Sequence, residues 1–297
     1  MKILLFGKGG QVGWELQRSL APLGELIALN RHSTEYNGVP VSGDFLNPDA
    51  VASAVLAVRP DVVVNAAAYT AVDQAESDST NAYTINALAP TAIAQAATKI
   101  GAMLVHYSTD YVFDGQPGKP WIETDTPKPL SVYGTSKLAG EQGITASGCK
   151  HFIFRTSWVY AARGNNFAKT MLRLAQERET LSVINDQIGA PTGADLLADV
   201  TAHALRSPAP SGVYHLAAAG STTWFGYAQH IFAAARAHGV TLKLDDAQLK
   251  AISTRDYKTA AQRPLNSLLN CDKINLGFNL ILPHWAAGVD RMLAETL

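Results

Sequence analysis

The chain has 297 residues, 47% of them hydrophobic, which is enough apolar side chain for a packed core. With 24 basic and 25 acidic residues its net charge is −1, which excludes a field suited to nucleic acid or an anionic membrane and leaves small molecules as the expected partners. Two cysteines, Cys149 and Cys271, cannot make a zinc site by themselves and fit a reducing, cytoplasmic setting; no apolar run reaches membrane-spanning length, and residues 1–6 read as a strand rather than an export leader.

The opening Lys2-Ile-Leu-Leu-Phe6 predicts a buried strand, and Trp14, Leu16 and Leu20 recur behind it at helical spacing. Between them lie Gly7, Gly10 and Gly13. A strand, a tight glycine turn and a helix start present backbone N–H groups and the positive end of a helix dipole to a dinucleotide pyrophosphate. Three spaced glycines are a weak signal alone; their place in the first turn of a βα series gives them weight.

Residues 25–30 predict a second strand and residues 39–42 a short third one, before a turn at Gly43-Asp44. Pro48 opens a helix over 48–59 with Asn47 as its N-cap. The run Asp61-Val-Val-Val-Asn65 fits a strand buried on both faces. A helix over 81–100 carries Ile85, Leu88, Ile93 and Ala96 at helical spacing, and residues 103–107 form another strand. A loop rich in Pro and Gly over 114–129 then leads to a helix starting near Tyr133. With a further strand over 151–155, the pattern defines an α/β fold: a doubly wound parallel sheet of Rossmann type over residues 1–160. Shorter units follow, with helices over 167–176, 195–205, 224–237, 245–252 and 285–296 and strands over 181–184 and 213–216. Residues 161–297 read mainly as a smaller substrate-binding lobe, with some segments returning to the sheet, because no linker or charge run divides them from it.

Among the tyrosines only Tyr133 has a lysine four residues on, Lys137, and on a helix the two share a face. A phenol of pKa about 10 becomes a proton shuttle at neutral pH if a nearby ammonium stabilises the phenolate by about 4 kcal/mol. Ser108-Thr109-Asp110 stands where a parallel strand ends, the edge at which open α/β sheets bind ligands, so the Thr109 hydroxyl is placed to hydrogen-bond a substrate oxygen. Thr109 taken alone equally suits a turn or a helix cap.

The glycine turn, Asn65-Ala-Ala-Ala-Tyr69-Thr70, Ser108-Thr-Asp-Tyr-Val-Phe113, Tyr133-x-x-x-Lys137, Arg155-Thr-Ser-Trp-Val-Tyr160 and Asn185-Asp-Gln-x-Gly-x-Pro-Thr192 together resemble the extended short-chain dehydrogenase/reductases over nearly the whole chain. The resemblance implies an NAD(P)H-dependent reduction of the 4-keto group of dTDP-4-dehydro-6-deoxy-L-mannose to dTDP-L-rhamnose. In it Tyr133 gives the proton, Lys137 holds the ribose and lowers the tyrosine pKa, and Thr109 couples the proton to the substrate oxygen. Gly10, Gln11 and Val12 are implied to meet the pyrophosphate, Asp44 and Phe45 the adenine, and Ala68, Tyr69 and Thr70 the ribose and nicotinamide. Thr109, Asp110 and Trp158 are implied substrate contacts. A large aromatic such as Trp158 equally suits the core. The planar fork of Arg263 suits the diphosphate or a surface salt bridge.

The second strand ends in Leu29-Asn30-Arg31-His32, without the acid that binds a ribose 2′-hydroxyl. With Arg31 there to accept a 2′-phosphate, NADPH is expected, NADH being the alternative. Some members of the resembled family bind Mg²⁺ through carboxylates at the contact of a homodimer. The matching positions are Glu15, Asp195 and Glu295, whose spacing alone shows no metal site. Two other readings share these motifs: a non-catalytic dinucleotide-binding regulatory subunit, and another nucleotide-sugar-modifying enzyme of the same fold. A dehydratase needs a second positioned acid, yet Asp110 is followed by Tyr111.

Overall fold

Leu4 and Phe6 face one side of the first strand and Ile3 and Leu5 the other, and all four are wholly buried. The alternation continues in Val63 against Val62 and Val64, Leu104 against Val105, and Ile153 against Phe152 and Phe154. Strands apolar on both faces need a layer of helices on each. The computed structural model, which describes residues 1–297, has that arrangement. Six parallel strands pair in the order Gly212–His215, His151–Thr156, Met103–Thr109, Val62–Asn65, Lys2–Phe6, Glu25–Leu29. The Pro48–Val58, Ala89–Ile100 and Val132–Ala146 helices pack on one face, and Gln11–Leu20, Ala194–Ala204 and Asp272–Phe278 on the other. A separate apolar cluster around Leu172, Phe232 and Val289 gathers the Phe167–Glu177, Trp224–Ala237 and Trp285–Thr296 helices. No helix is long and apolar enough to cross a membrane.

The chain leaves Lys2–Phe6 for its neighbour on one side, Glu25–Leu29, and returns on the other as Val62–Asn65. Ligands of open α/β sheets bind at such a switch, beyond the carboxyl ends of the strands.

The short strand expected over 39–42 forms as Val39–Val41, outside the central sheet: it pairs antiparallel with Thr34–Tyr36, and Pro40 at its centre has no N–H to give to a central ladder. Two sequence expectations are corrected. The helix over 81–100 is interrupted, because Thr84–Leu88 forms a π-helical turn in which the Ala89 N–H reaches Thr84 O. Pro90 has no N–H for the Asn86 carbonyl, so the regular ladder cannot run through. The helix over 245–252 is instead one 3₁₀ turn, Asp246–Gln248, capped by Asp245 and followed by a strand, Leu249–Ile252, parallel to Leu181–Ile184. Ala, Gln, Leu and Lys are good helix formers, so tertiary pairing overrides local propensity there. The Asp272–Phe278 helix was not expected; its signal is the buried pair Ile274 and Phe278 four residues apart.

The Val132–Ala146 helix is fixed to the His151–Thr156 strand by Arg155, whose Nε and Nη2 donate to the Glu141 carboxylate at 3.0 and 2.6 Å, both side chains being buried. Gly140 sets how closely the helix lies, since a Cβ there would collide with the Asn86 carbonyl in the π-helical turn. Taking one charge from the pair strands the other in a dry site. Glu141→Gln should therefore lower the unfolding free energy by about 3–5 kcal/mol, read from the urea midpoint; an unmoved midpoint would show that the pair does not hold the helix.

Candidate active site

Gly7 adopts φ +84°, and the N–H groups of Gly7 and Lys8 donate to Leu29 O at 3.1 and 3.2 Å, turning the chain sharply off the first strand. A Cβ on Gly7 would stand 2.7 Å from Ala67 N, and one on Gly13 would collide with the Gly7 carbonyl. Only glycines let the turn press against Ala66-Ala67 and the helix start press against the turn. Gly10 caps the Gln11–Leu20 helix without a side chain, and no acid stands in the first turn. The N–H groups of the helix start are thus left open, and a Cβ on Gly9 would meet nothing within 4 Å. Open donors with free space above them fit a dinucleotide pyrophosphate. Gln11 and Val12 are half-buried beside them, and Gln11 Oε1 accepts from Asn166 Nδ2 at 3.2 Å.

At the far end of this crevice Asn30 and Arg31 are exposed, and Gly43 donates to Asn30 O at 3.1 Å, bringing Asp44 and Phe45 beside them. The Phe45 ring is turned inward, edge-on to Phe6 at 5.5 Å. The segment Ala68–Thr70 is held by Asn86, which accepts from the Tyr69 N–H at 2.8 Å and donates to Tyr69 O and to Ser136 Oγ, both at 3.1 Å. Asn86 thereby ties this loop to the helix that bears Tyr133. Sequence reading passed it over; its signal is a lone polar residue in an apolar run just ahead of Pro90.

Thr109 ends the Met103–Thr109 strand, donating to Asp110 Oδ1 at 3.1 Å and accepting from the Tyr111 N–H at 3.2 Å. The Tyr111 and Tyr133 rings meet edge to face at 5.5 Å. Burial pushes the Tyr133 phenol up to about 12, with the Thr109 hydroxyl pulling the other way and the Asp110 charge adding to the rise. Lys137 is buried; its Nζ donates to Tyr107 O at 2.6 Å and stands 3.2 Å from His106 Nε2. Burial pulls Lys137 down to about 8 against the influence of Glu141. The amino group of Lys137 is thus turned to the Tyr107 carbonyl and His106, and burial is the largest influence on the phenol.

Trp158, at φ +49°, stacks on Trp224 at 3.6 Å and lies against Gly189. Trp224, Phe167 and Tyr257 wall a cleft of about 660 Å³ that also takes in Gln187, Lys258 and Arg263, so Trp158 backs this wall instead of lining it. Arg263 Nη2 donates to Asp73 Oδ2 at 2.6 Å, while its buried Nε has no partner. Tyr111 connects cleft and phenol, since its ring meets Tyr133 and its hydroxyl feels the charges of Arg263 and Asp73.

Glu15, Asp195 and Glu295 do converge, on a recess of about 30 Å³, but Arg291 stands among them. Its Nη1 lies 3.3 Å from Asp195 Oδ2 and its Nε 3.1 Å from Glu295 Oε1. A guanidinium thus engages two of the three carboxylates, and no group of three His, Cys, Asp or Glu side chains is placed to hold an ion. The Mg²⁺ set implied by the resemblance is not formed within the single chain.

A doubly wound sheet whose switch point brings a glycine turn toward a Tyr-x-x-x-Lys helix defines a short-chain dehydrogenase/reductase. The family model described as RmlD substrate binding domain matches residues 1–297. The chain is 58% identical to the dTDP-4-dehydrorhamnose reductase of Escherichia coli K12 and 60% identical to that of Salmonella typhimurium LT2, each over 99% of this chain and 98% of the relative. Among solved structures, dTDP-4-dehydrorhamnose reductase from Bacillus anthracis, in complex with NADP, superposes with a TM-score of 0.89 at 37% identity over the full length of both chains. The Clostridium acetobutylicum enzyme gives 0.88 at 33% identity over 99% of each. The chain belongs to the dTDP-4-dehydrorhamnose reductase family of oxidoreductases.

Asp110 is buried with Oδ2 unpartnered, and burial raises it to about 6 although the Thr109 hydroxyl donates to Oδ1 and Ser267 pulls the other way. Because the folded value lies above the unfolded one, its contribution to stability is full below about pH 4 and is lost as pH rises through about 6, roughly 3 kcal/mol in all. Asp110→Asn removes that dependence. Urea titrations at pH 4 and pH 8 should show the variant gaining on the parent by up to about 3 kcal/mol between the two; a constant difference would refute the assignment.

Proposed function

We propose that the protein reduces the 4-keto group of dTDP-4-dehydro-6-deoxy-L-mannose to give dTDP-L-rhamnose, with NADPH as reductant. The observation that carries this reading is the convergence of Thr109, Tyr111 and Tyr133 beyond the Met103–Thr109 strand, the Tyr111 N–H on the Thr109 hydroxyl and its ring 5.5 Å from that of Tyr133, whose helix Asn86 ties to the loop lying against the glycine turn. The activity shared by the relatives, and the NADP held by the Bacillus anthracis enzyme, support it. The exposed Asn30-Arg31 pair, with no acid, favours a 2′-phosphate over a 2′-hydroxyl.

Bound in the crevice, NADPH supplies the hydride that reaches the sugar C4. Tyr133 then protonates the oxygen on which charge grows. A phenol raised by burial remains protonated at neutral pH, and an alkoxide is a far stronger base than a phenolate, so the acid form required in this direction is the one present. Thr109 holds the substrate oxygen beside the phenol and stabilises its developing charge, and Lys137 keeps hydrogen available for the ribose hydroxyls. Asp110 borders the sugar. Lys258 and Arg263 offer cations to the diphosphate, and Trp224, backed by Trp158, offers a flat face. Most of the cleft wall comes from residues 161–297, which supports a substrate-binding role for that part of the chain.

NADPH absorbance should fall when dTDP-4-dehydro-6-deoxy-L-mannose is added, with the product sugar identified by NMR. Tyr133→Phe should lower kcat by about 10²–10⁴-fold and leave NADPH titration unchanged. Full turnover in the variant overturns the role of the phenol; no oxidation by the parent chain overturns the function.

A further inference from the structure

The Asn185-Asp186-Gln187 run singled out in the sequence has no part in the mechanism above. In the fold it runs between two segments that build the cleft. One is Thr222–Thr223, which leads directly into Trp224; the other is the Leu249–Ile252 strand with the strap over 254–263, which carries Lys258 and Arg263. The run is bonded to both. Asn185 Oδ1 accepts from Thr223 Oγ1 at 2.7 Å, and the Asn185 N–H donates to Ile252 O at 2.9 Å. Asp186 accepts from the Thr254 N–H at 2.9 Å and from the Thr254 hydroxyl at 2.6 Å. Ile188, the next residue, pairs with Thr223 and donates to Leu265 O at 2.8 Å.

Gln187 is the member of the run that lines the cleft, and it is buried. Its partners fix the orientation of its amide. The Thr254 hydroxyl gives its hydrogen to Asp186, so it can only accept from Gln187 Nε2, at 3.1 Å. That turns Oε1 to the Trp224 indole N–H, which can only donate, at 3.0 Å. One amide thus ties the edge of the aromatic wall to the first residue of the cationic strap. The far end of the strap is fastened by Asp73, which accepts from the Ala261 N–H at 3.1 Å and from Arg263 Nη2. Trp224 is held on one face as well, by the Trp158 ring stacked against it.

We infer that Gln187 is a positioning residue of the substrate cleft: it fixes the Trp224 ring and the strap of Lys258 and Arg263 at one span, so that a nucleoside diphosphate sugar meets flat face and cations together. The inference rests on the substrate role given to the cleft under the proposed function. Gln187 acts through its neighbours, since its amide is engaged at both ends by protein groups. Ordering a wall and a strap in advance lowers the cost of binding and leaves the proton transfer at Tyr133 alone, so the effect belongs in KM and not in kcat.

The test is titration of dTDP-L-rhamnose into the full-length protein saturated with NADP⁺. Gln187→Met keeps the length of the side chain and neither hydrogen bond. It should weaken dTDP-L-rhamnose binding by about tenfold and raise the substrate KM alike, with kcat and NADPH titration unchanged. Solvent exchange of the Trp224 indole N–H, read by NMR of the unliganded protein and assigned with Trp224→Phe, should quicken by about tenfold or more. Gln187→Met and Trp224→Phe combined should cost less than the product of their separate losses, because the two residues act as a unit. Affinity or exchange like the parent's in Gln187→Met, a loss that falls on kcat, or independent losses in the pair would overturn the inference. Should Gln187→Met fail to fold, Thr254→Val at a half-buried position removes the acceptor for Nε2 and should weaken dTDP-L-rhamnose by about threefold or more; binding like the parent's there also overturns it. A parent chain that binds dTDP-L-rhamnose without oxidising NADPH refutes the function and leaves the inference standing, whereas one that does not bind it refutes both.

Discussion

Gly7 meets Ala67 with no room for a side chain between them, and the geometry of the site follows from that contact. The two residues end neighbouring strands whose chains depart to opposite sides of the sheet, which opens a crevice where the order reverses. Because the turn lies flat on the Ala66-Ala67 backbone, the uncapped start of the first helix points along the crevice instead of being lifted over it. Asn86 then continues the same contact outward: its amide grips the backbone of Tyr69 and reaches Ser136, so glycine turn, loop and tyrosine helix are joined by one run of contacts. Gly140 is what lets that helix come close enough to be gripped.

Burial does for the ionisable groups what packing does for the backbone. A dry site penalises charge, and Tyr133, Lys137, His106 and Asp110 are all displaced toward their uncharged forms. The buried ion pair in the neighbourhood, Arg155 with Glu141, is closed on itself by two-pronged hydrogen bonding. A reductase that must deliver a proton as charge accumulates on oxygen is served by acids that have not yet dissociated. In the open aromatic cleft, by contrast, Lys258 and Arg263 stand nearer to water.

What was legible in the sequence was whatever a local pattern records. The Val-Val-Val and Ile-Leu-Leu runs announce strands buried on both faces, and the glycine turn and the Tyr133–Lys137 spacing announce their own chemistry because three or four residues contain it. What was not legible depends on contacts between distant segments. Leu249–Ile252 looks helical by residue type and becomes a strand only because Leu181–Ile184 is there to pair with. Glu15, Asp195 and Glu295 do gather, as the resemblance implied, but nothing in their spacing foretold that Arg291 would come between them. Lys137 was legible as a residue and not as an orientation: His106, on which its hydrogen bonding turns, is thirty-one positions away and reads as an ordinary strand residue.

The π-helical turn at Thr84–Leu88 amounts to one residue more than a regular helix would use. Deleting any single residue between Ser79 and Pro90 would close the widened turn into a regular α-helix and take away the place from which Asn86 reaches Tyr69 and Ser136. The segment should therefore accept changes of side chain far more readily than changes of length. Among descendants of this gene, gaps in an alignment are expected to cluster in the Asp114 to Pro129 loop and to avoid this helix altogether.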